Sequence, residues 1–420
     1  MTGRPDGSPA ETATRGGAFL ALAPVYLSVF LFVAGNSALS VLVPVYLSRH
    51  AHLGVATIGA VVGVFGFASL AARLPVGLAY SVARGRAFLL AGGGLSAAAF
   101  ALAPFVRDPI VFGAVMALNG LGWSIATTAQ LALLVARPPG GVSTAAAMGW
   151  FSGATGLGNM VGGVLGGTSA DVIGLRPTFF VLAATPLLGA LLMARSVASS
   201  TAIVREEVEP VREGAAWRLL FRMPIAVWAG VLVMFFINGL NAVTNTFHPV
   251  LALGAGLSLT QIGALSSIRS WASSSSRFGS GPLFSRFDPA GFTLPLVVVG
   301  TLATCFIPSV IESFLLQIPL FAVAGLSRGL LRVTGSADAF EAADEDDRRH
   351  GLVSALLYGG LDLGKIVLPV VGGVVAGAWG IATMFRVVPI GLLLLYLALA
   401  LPARRAVQAD GARRATKSTV

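Results

Sequence analysis

The sequence predicts an all-α membrane protein with twelve transmembrane helices in two parallel-repeat six-helix bundles. Three observations carry that prediction: a shortage of charge, an alternation of basic and near-neutral loops, and an internal repeat. Of the 420 residues, 55% are hydrophobic and only 11% charged, whereas soluble domains carry about 25% charged residues. Apolar runs near 20 residues recur along the chain. At about 1.5 Å per helical residue, such runs are long enough to cross a hydrocarbon layer of about 30 Å. This excludes a soluble enzyme. The single cysteine, Cys305, excludes an internal disulfide framework and a cysteine-rich metal site. The net charge of +10 comes from scattered arginines, not a continuous basic stripe, so no nucleic-acid partner is expected.

Taken in order, residues 1–23 form an N-terminal tail, with 1–17 polar and loop-like. The apolar pattern that follows exceeds the roughly 7–15 residues of a secretory signal core, so it reads as a retained first helix. The twelve expected helices are Pro24–Leu47, Ile58–Ala79, Ala87–Phe105, Ile110–Val135, Ala145–Gly167, Pro177–Met193, Ile225–Leu251, Leu259–Phe278, Phe292–Val310, Phe314–Ala337, Leu352–Ala378 and Ala382–Leu401. The eighth has the least apolar sequence, since Ser266–Arg277 holds seven serines and two arginines; it rests on the repeat described below. Residues 24–194 then make the N-terminal bundle and 224–402 the C-terminal bundle. Between them, 195–223 is a cytoplasmic linker, part of which reads as an amphipathic helix on the membrane surface. The acidic stretch Asp338–His350 reads as a solvated loop, and 403–420 as a basic cytoplasmic tail.

Orientation follows from the positive-inside rule. With both termini and the loops after even-numbered helices on one side, 20 Lys and Arg fall there, against four (Arg49, Arg107, Arg176, Arg386) on the other. That bias places both termini in the cytoplasm, in a multi-pass protein of the cell membrane.

The repeat shows as nearly constant offsets. At 204, Leu53, Ile58-Gly59-Ala60, Ala68-Ser69, Arg73, Gly77 and Ser81 meet Leu257, Ile262-Gly263-Ala264, Ala272-Ser273, Arg277, Gly281 and Ser285. At 205, Asn36, Pro44-Val45 and Gly120-Leu121 meet Asn241, Pro249-Val250 and Gly325-Leu326. At 210, Gly162-Gly163-Val164-x-x-Gly167 meets Gly372-Gly373-Val374-x-x-Gly377. Six helices per copy keep both copies in the same orientation, so the repeat axis lies along the membrane normal, as in two-fold secondary transporters.

On these residues the chain resembles the major facilitator superfamily over about residues 20–401. The family's loop after helix 2 reads Gly-x-x-x-Asp-(Arg/Lys)-x-Gly-(Arg/Lys)-(Arg/Lys). Here Arg73, Gly77, Gly85 and Arg86 stand in that region, with one extra residue and without the aspartate. The family's helix 4 arginine falls at Met116. The antiporter branch carries Gly-Pro-x-x-Gly-Gly in helix 5. This chain has Gly158-Asn159-x-x-Gly162-Gly163, and Leu368-Pro369-x-x-Gly372-Gly373 in helix 11. The resemblance implies alternating access about a central cavity lined by helices 1, 2, 4, 5, 7, 8, 10 and 11, with Arg73, Gly77, Gly85 and Arg86 as a gating loop. It also points to the drug/metabolite:proton antiporter branch.

Charge inside a bilayer costs roughly 2.5–3.5 kcal/mol per group and marks candidate functional residues. Arg269 on helix 8, Arg328 and Arg332 on helix 10, and Asp362 and Lys365 on helix 11 are such groups. The repeat matches Arg328 to Trp123, which places Arg328 deep. Guanidinium groups grip carboxylate or phosphate through paired hydrogen bonds, so the arginines suit an anionic cargo. The competing reading is an interhelical network of Arg269, Asp362 and Lys365 that only gates. Asp362, the deep carboxylate, is the candidate proton carrier, with Lys365 beside it. Asn36, Asn119, Trp123, Asn241 and Tyr358 complete the candidate substrate lining; interhelical hydrogen bonding is the plainer role for this polar set. Gly359-x4-Gly364-Lys365 mimics a phosphate loop but lacks the closing Ser/Thr and a preceding strand. The four histidines lack metal-ligand spacing and read as surface or interfacial.

The expected activity is secondary transport: export of a small anionic or amphipathic organic molecule in exchange for protons. Proton-coupled uptake of a small organic acid is the alternative, and a non-transporting receptor or scaffold the alternative from another class. No enzymatic activity and no cofactor are expected. The partners are the small-molecule substrate, the coupling proton and the lipid bilayer.

Overall fold

The structure, a computed structural model, describes residues 9–136, 144–198, 223–287, 289–341 and 347–417. Twelve long helices lie among them: α1 Pro9–Arg49, α2 Val55–Ala79, α3 Gly85–Leu102, α4 Pro109–Ala136, α5 Thr144–Ile173, α6 Leu175–Ala198, α7 Ile225–Gly254, α8 Leu259–Phe284, α9 Pro289–Phe306, α10 Phe314–Glu341, α11 Asp347–Trp379 and α12 Ile381–Lys417. A helix satisfies every backbone group along its own axis, which is the requirement that lipid imposes.

Ten of these helices are long and apolar enough to cross a bilayer; α5 and α8 are not among them. Their position explains why. The two run against each other between the bundles, with Gly163 backed onto Gly263 and Ser267, and Gly167 onto Leu259. A face turned to another helix needs small residues rather than apolar bulk. The serines of α8 bond back along their own helix, Ser270 to the Ser266 carbonyl at 3.0 Å and Ser276 to the Ser273 carbonyl at 3.1 Å.

The packing obeys the repeat. In the first bundle α1 lies on α5 and α6, and α4 joins α2 to α3; in the second, α7 lies on α11 and α12, and α10 joins α8 to α9. Two further mates, α2–α11 and α5–α8, join one bundle to the other. The turns repeat as well. His52 (φ 55°) and Gly256 (φ 92°) stand 204 apart, and Gly174 (φ 90°) and Gly380 (φ 85°) stand 206 apart. A left-handed histidine is uncommon; it occupies the turn whose copy uses glycine.

Each bundle junction is tight near the loops that follow odd-numbered helices. We call this end the odd-loop face. There Gly59 lies against the Pro369 carbonyl and Gly373 against Ala56, so that a Cβ on Gly59 would clash with backbone. Toward the opposite, even-loop face, Gly77, Gly149, Gly153, Gly279 and Gly281 have open space where a Cβ would stand. The halves meet closely at the odd-loop face, and the junction continues through Gly66 against Ile366, Gly156 against Ser274 and the Arg73–Asp362 ion pair.

Several expectations change. Residues 9–17 are helical, not loop-like, and α12 carries helix through the expected tail as far as Lys417. The expected acidic loop is helical on both sides, in α10 to Glu341 and in α11 from Asp347; residues 342–346 lie outside the described residues. Most of the expected linker, 199–222, also lies outside them.

Candidate functional site

The candidate residues separate into three groups. The first is a cleft of about 350 Å³, including its open mouth, inside the C-terminal bundle between α7, α8, α9 and α10. Arg269, Arg328 and Asn241 line it together. Helix α8 holds Arg269 almost wholly buried, at 4% exposure. Its Nη2 donates to Asn245 Oδ1, and the guanidinium stacks on Phe321, with Cζ 5.6 Å from the ring centre. Nε and Nη1 have no hydrogen-bond partner. The asparagine stripe of α7 thus serves three neighbours: Asn238 donates to the Leu361 carbonyl of α11 at 2.6 Å, Asn241 lines the cleft, and Asn245 holds Arg269.

The second group ties the bundles together. Asp362 on α11 lies 3.8 Å from Lys365 Nζ, one turn on, and 3.3 Å from Arg73 Nη2 on α2. The Arg73 contact is an ion pair without hydrogen-bond geometry at Asp362 Oδ2. Asp362 is largely buried, while Arg73 and Lys365 are partly exposed. The expected network of Arg269 with Asp362 and Lys365 does not form; Arg73 takes the place of Arg269.

The third group lies in the N-terminal bundle. Asn119 of α4 donates to Asn36 of α1 at 3.2 Å, and Asn36 donates onward to the Phe32 carbonyl at 3.1 Å. Trp123, one turn from Asn119, stacks on Phe32 at 5.3 Å and meets Phe65 edge-on at 6.3 Å. In the C-terminal bundle Arg332 lies over Tyr358, with Cζ 5.9 Å from the ring centre, and Tyr358 is 53% exposed. The gating-loop residues do not assemble. Arg73 belongs to the Asp362 pair, Gly77 faces open space, Gly85 opens α3 beneath Tyr80 and Leu133, and Arg86 is exposed.

The expected helix Leu259–Phe278 already held Arg277 near its end. The structure keeps it inside α8, half-buried, with Nε donating to the Ser273 carbonyl at 3.1 Å and Nη2 to Ser274 at 3.2 Å. Arg328 stands within electrostatic range of Arg269, Arg277 and Arg332, Arg277 also of Arg332, and Lys365 of Arg73, Arg328 and Arg332. Asp362 itself is paired with Arg73 and Lys365 alone among the described residues, so cations outnumber carboxylates in this region. The missed signal was the repeat itself, which pairs Arg277 with Arg73. His248 is also corrected. It is 2% exposed rather than interfacial, its Nε2 lies 2.7 Å from Gln317 Oε1, and its ring meets Phe321 at 4.7 Å.

Asp171, at the end of α5, reaches across to the start of α8. Its Oδ1 accepts from Leu259 N at 3.2 Å, and its Oδ2 from Thr260 N and Thr260 Oγ1, both at 2.7 Å. Ser258 and Gln261 complete a capping box at the same helix end. On the same face Arg49 Nη2 lies 3.5 Å from the Leu253 carbonyl.

The family model described as Major Facilitator Superfamily matches residues 25–348. No curated protein matches the chain in sequence. Among solved structures, a variant of the nucleoside transporter NupG superposes with TM-score 0.76 at 14% identity, covering 90% of this chain and 99% of its own. A bacterial homologue of the human lysosomal transporter Spinster, inward-facing and unoccupied, superposes with TM-score 0.73 at 15% identity, covering 96% of this chain and 99% of its own. At these identities the likeness concerns the fold.

Proposed function

The chain belongs to the Major Facilitator Superfamily, and from that premise we propose that it exports a small anionic or amphipathic organic molecule in exchange for protons, by alternating access. The observation that carries the proposal is the excess of cations: Arg269, Arg277, Arg332 and Lys365 lie within electrostatic range of Arg328, while Asp362 pairs with Arg73 and Lys365. Cations held at that depth disfavour a cationic cargo by repulsion and favour an anionic one. The positive-inside bias assigns the even-loop face to the cytoplasm, in the cell membrane. On that assignment the closely packed odd-loop face is extracellular, and an exported cargo is loaded from the cytoplasmic side.

Asp362 is the proton carrier in this proposal. It lies at the junction of the two bundles and is paired to both, to Arg73 of α2 and Lys365 of α11. A proton on Asp362 removes both ion pairs at once. Its protonation state therefore bears on how firmly α2 and α11 hold together, which links proton movement to the rocking of the halves.

The test is flux into proteoliposomes under an imposed pH gradient, with a panel of carboxylates and their matched amines. The proposal expects the carboxylates to move and to accumulate against the proton gradient. Preferential movement of amines overturns the anionic cargo. Accumulation of carboxylate in the same direction as protons replaces exchange by symport. A panel that moves no faster than in protein-free vesicles leaves a receptor or scaffold role.

A further inference from the structure

The cleft of the C-terminal bundle holds a guanidinium that is incompletely used. Arg269 is 4% exposed, and Nε and Nη1 have no hydrogen-bond acceptor among the described residues. Leaving buried donors unmatched is costly, the more so for a charged group. Nη2 carries two hydrogens, and Asn245 accepts through one oxygen. Whichever hydrogen Asn245 takes, one complete edge of the guanidinium remains, with two parallel hydrogens. That edge matches the two oxygens of a carboxylate.

The mounting of Arg269 is rigid. Asn245 holds one end, and Phe321 lies under the plane. Arg328 lines the same cleft, and no salt bridge or hydrogen bond engages it among the described residues. The other walls combine apolar Phe236, Ile237, Leu240 and Leu331 with polar Asn241, Thr244, Thr304 and Ser327. The cleft is small and its mouth is open, so an acidic head seated at the arginines leaves an apolar body to lie along the mouth. Of its uncharged polar residues, Thr244 and Thr304 donate their hydroxyls back along their own helices, to the Leu240 and Gly300 carbonyls, which leaves Asn241 and Ser327 beside the arginines.

We propose that this cleft is the seat of the cargo's acidic head, that Arg269 and Arg328 grip it, and that the cargo is an amphipathic monocarboxylate whose apolar body lies along α7 and α10. This deepens the transport reading above and rests on it. All lining residues belong to α7, α8, α9 and α10, so the head travels with the C-terminal bundle through the cycle. The N-terminal bundle acts as the moving wall.

The experiment is titration of purified protein with 3-phenylpropionate, its alcohol, its amine and inorganic phosphate. Binding is read by calorimetry in the wild type and in Arg269→Gln, Arg269→Lys, Arg328→Gln and the exposed-loop control Arg107→Gln. The carboxylate is expected to bind at least about tenfold more tightly than the alcohol, a difference of about 1.4 kcal/mol. That preference is expected to vanish in Arg269→Gln and Arg328→Gln, to weaken in Arg269→Lys, which keeps charge but loses the planar edge, and to persist in Arg107→Gln. Equal binding of carboxylate and alcohol by the wild type overturns the proposal, as does tighter binding of phosphate. A preference that survives in Arg269→Gln, with thermal unfolding like the wild type, also overturns it. Arg269→Lys covers the case in which the glutamine variant fails to fold. If carboxylate flux is present but has an unchanged KM in Arg269→Lys and Arg328→Gln, the seat is wrong and the transport reading stands. If the wild type shows no carboxylate flux, the transport reading itself is wrong.

Discussion

Asp171 offers a direct test of how the halves are held at the odd-loop face. Replacing it with asparagine preserves size and one carbonyl oxygen. It removes the charge and presents an amide to a row of donors that needs acceptors. Oδ1 serves Leu259 N, while Oδ2 serves both Thr260 N and Thr260 Oγ1, so at least one of the three bonds is lost. An ordinary hydrogen bond contributes about 0.5–1.5 kcal/mol net, and an anion at an exposed helix N-terminus about 0.3–1 kcal/mol. The expected loss is therefore about 1–2 kcal/mol, or roughly a 5- to 30-fold change in a two-state ratio. The contact exists only while this face is shut, so the loss falls on the shut state and raises the population open at this face. The assay is a distance distribution between spin labels at the exposed positions Val172 and Gly254 in a Cys305→Ser background. Growth of a longer-distance population by that factor is expected in Asp171→Asn. An unchanged distribution in folded Asp171→Asn protein refutes the latch.

Three further outcomes follow from the same contacts. Asp362→Asn should abolish pH-driven transport and spare counterflow; unchanged pH-driven flux rejects Asp362 as the proton carrier. A cysteine pair introduced by Ala56→Cys and Gly377→Cys would bring Cβ atoms about 3.4 Å apart, close to disulfide distance. Oxidation should stop transport and reduction should restore it, and a cross-linked protein that still transports contradicts a moving α2–α11 junction. His50 lies outside the spans, stacked on Tyr46, and burial followed by the Arg176 and Arg107 charges holds its imidazole below the usual range. A lowered folded value means that the folded state resists protonation. The contribution is complete above the ordinary imidazole value of about 6.5 and fades as pH falls below it. His50→Gln should flatten the acid limb of a melting-temperature profile, and an identical profile argues against this role.

The repeat made much of the architecture legible. It justified α8 despite its serines, and it paired Arg73 with Arg277 before either had a place. Hydropathy marks α5 and α8 least strongly, because burial between bundles relaxes the demand for apolar bulk that lipid imposes. Helix ends were hard to read for a related reason. Beyond the bilayer a helix needs no hydrophobic signal, so α1 begins at Pro9 and α12 runs to Lys417 without one. The grouping of Arg269, Arg328 and Asn241 was visible as intramembrane charge with a polar neighbour. The partner of Asp362 was not, since Arg73 comes from the other bundle and from a motif read as a loop. His248 looked interfacial because Pro249 follows it. Its burial depends on Gln317 and Phe321 of α10, which sequence spacing does not bring near.

Counterflow tests the central claim most directly, because it needs no coupling ion and reports the carrier alone. Proteoliposomes loaded with unlabelled 3-phenylpropionate, well above the carboxylate titration range, receive a trace of labelled compound outside. The account predicts a transient, saturable uptake overshoot that the matched amine does not produce. Uptake no faster than in protein-free vesicles, or an overshoot with the amine and none with the acid, contradicts it.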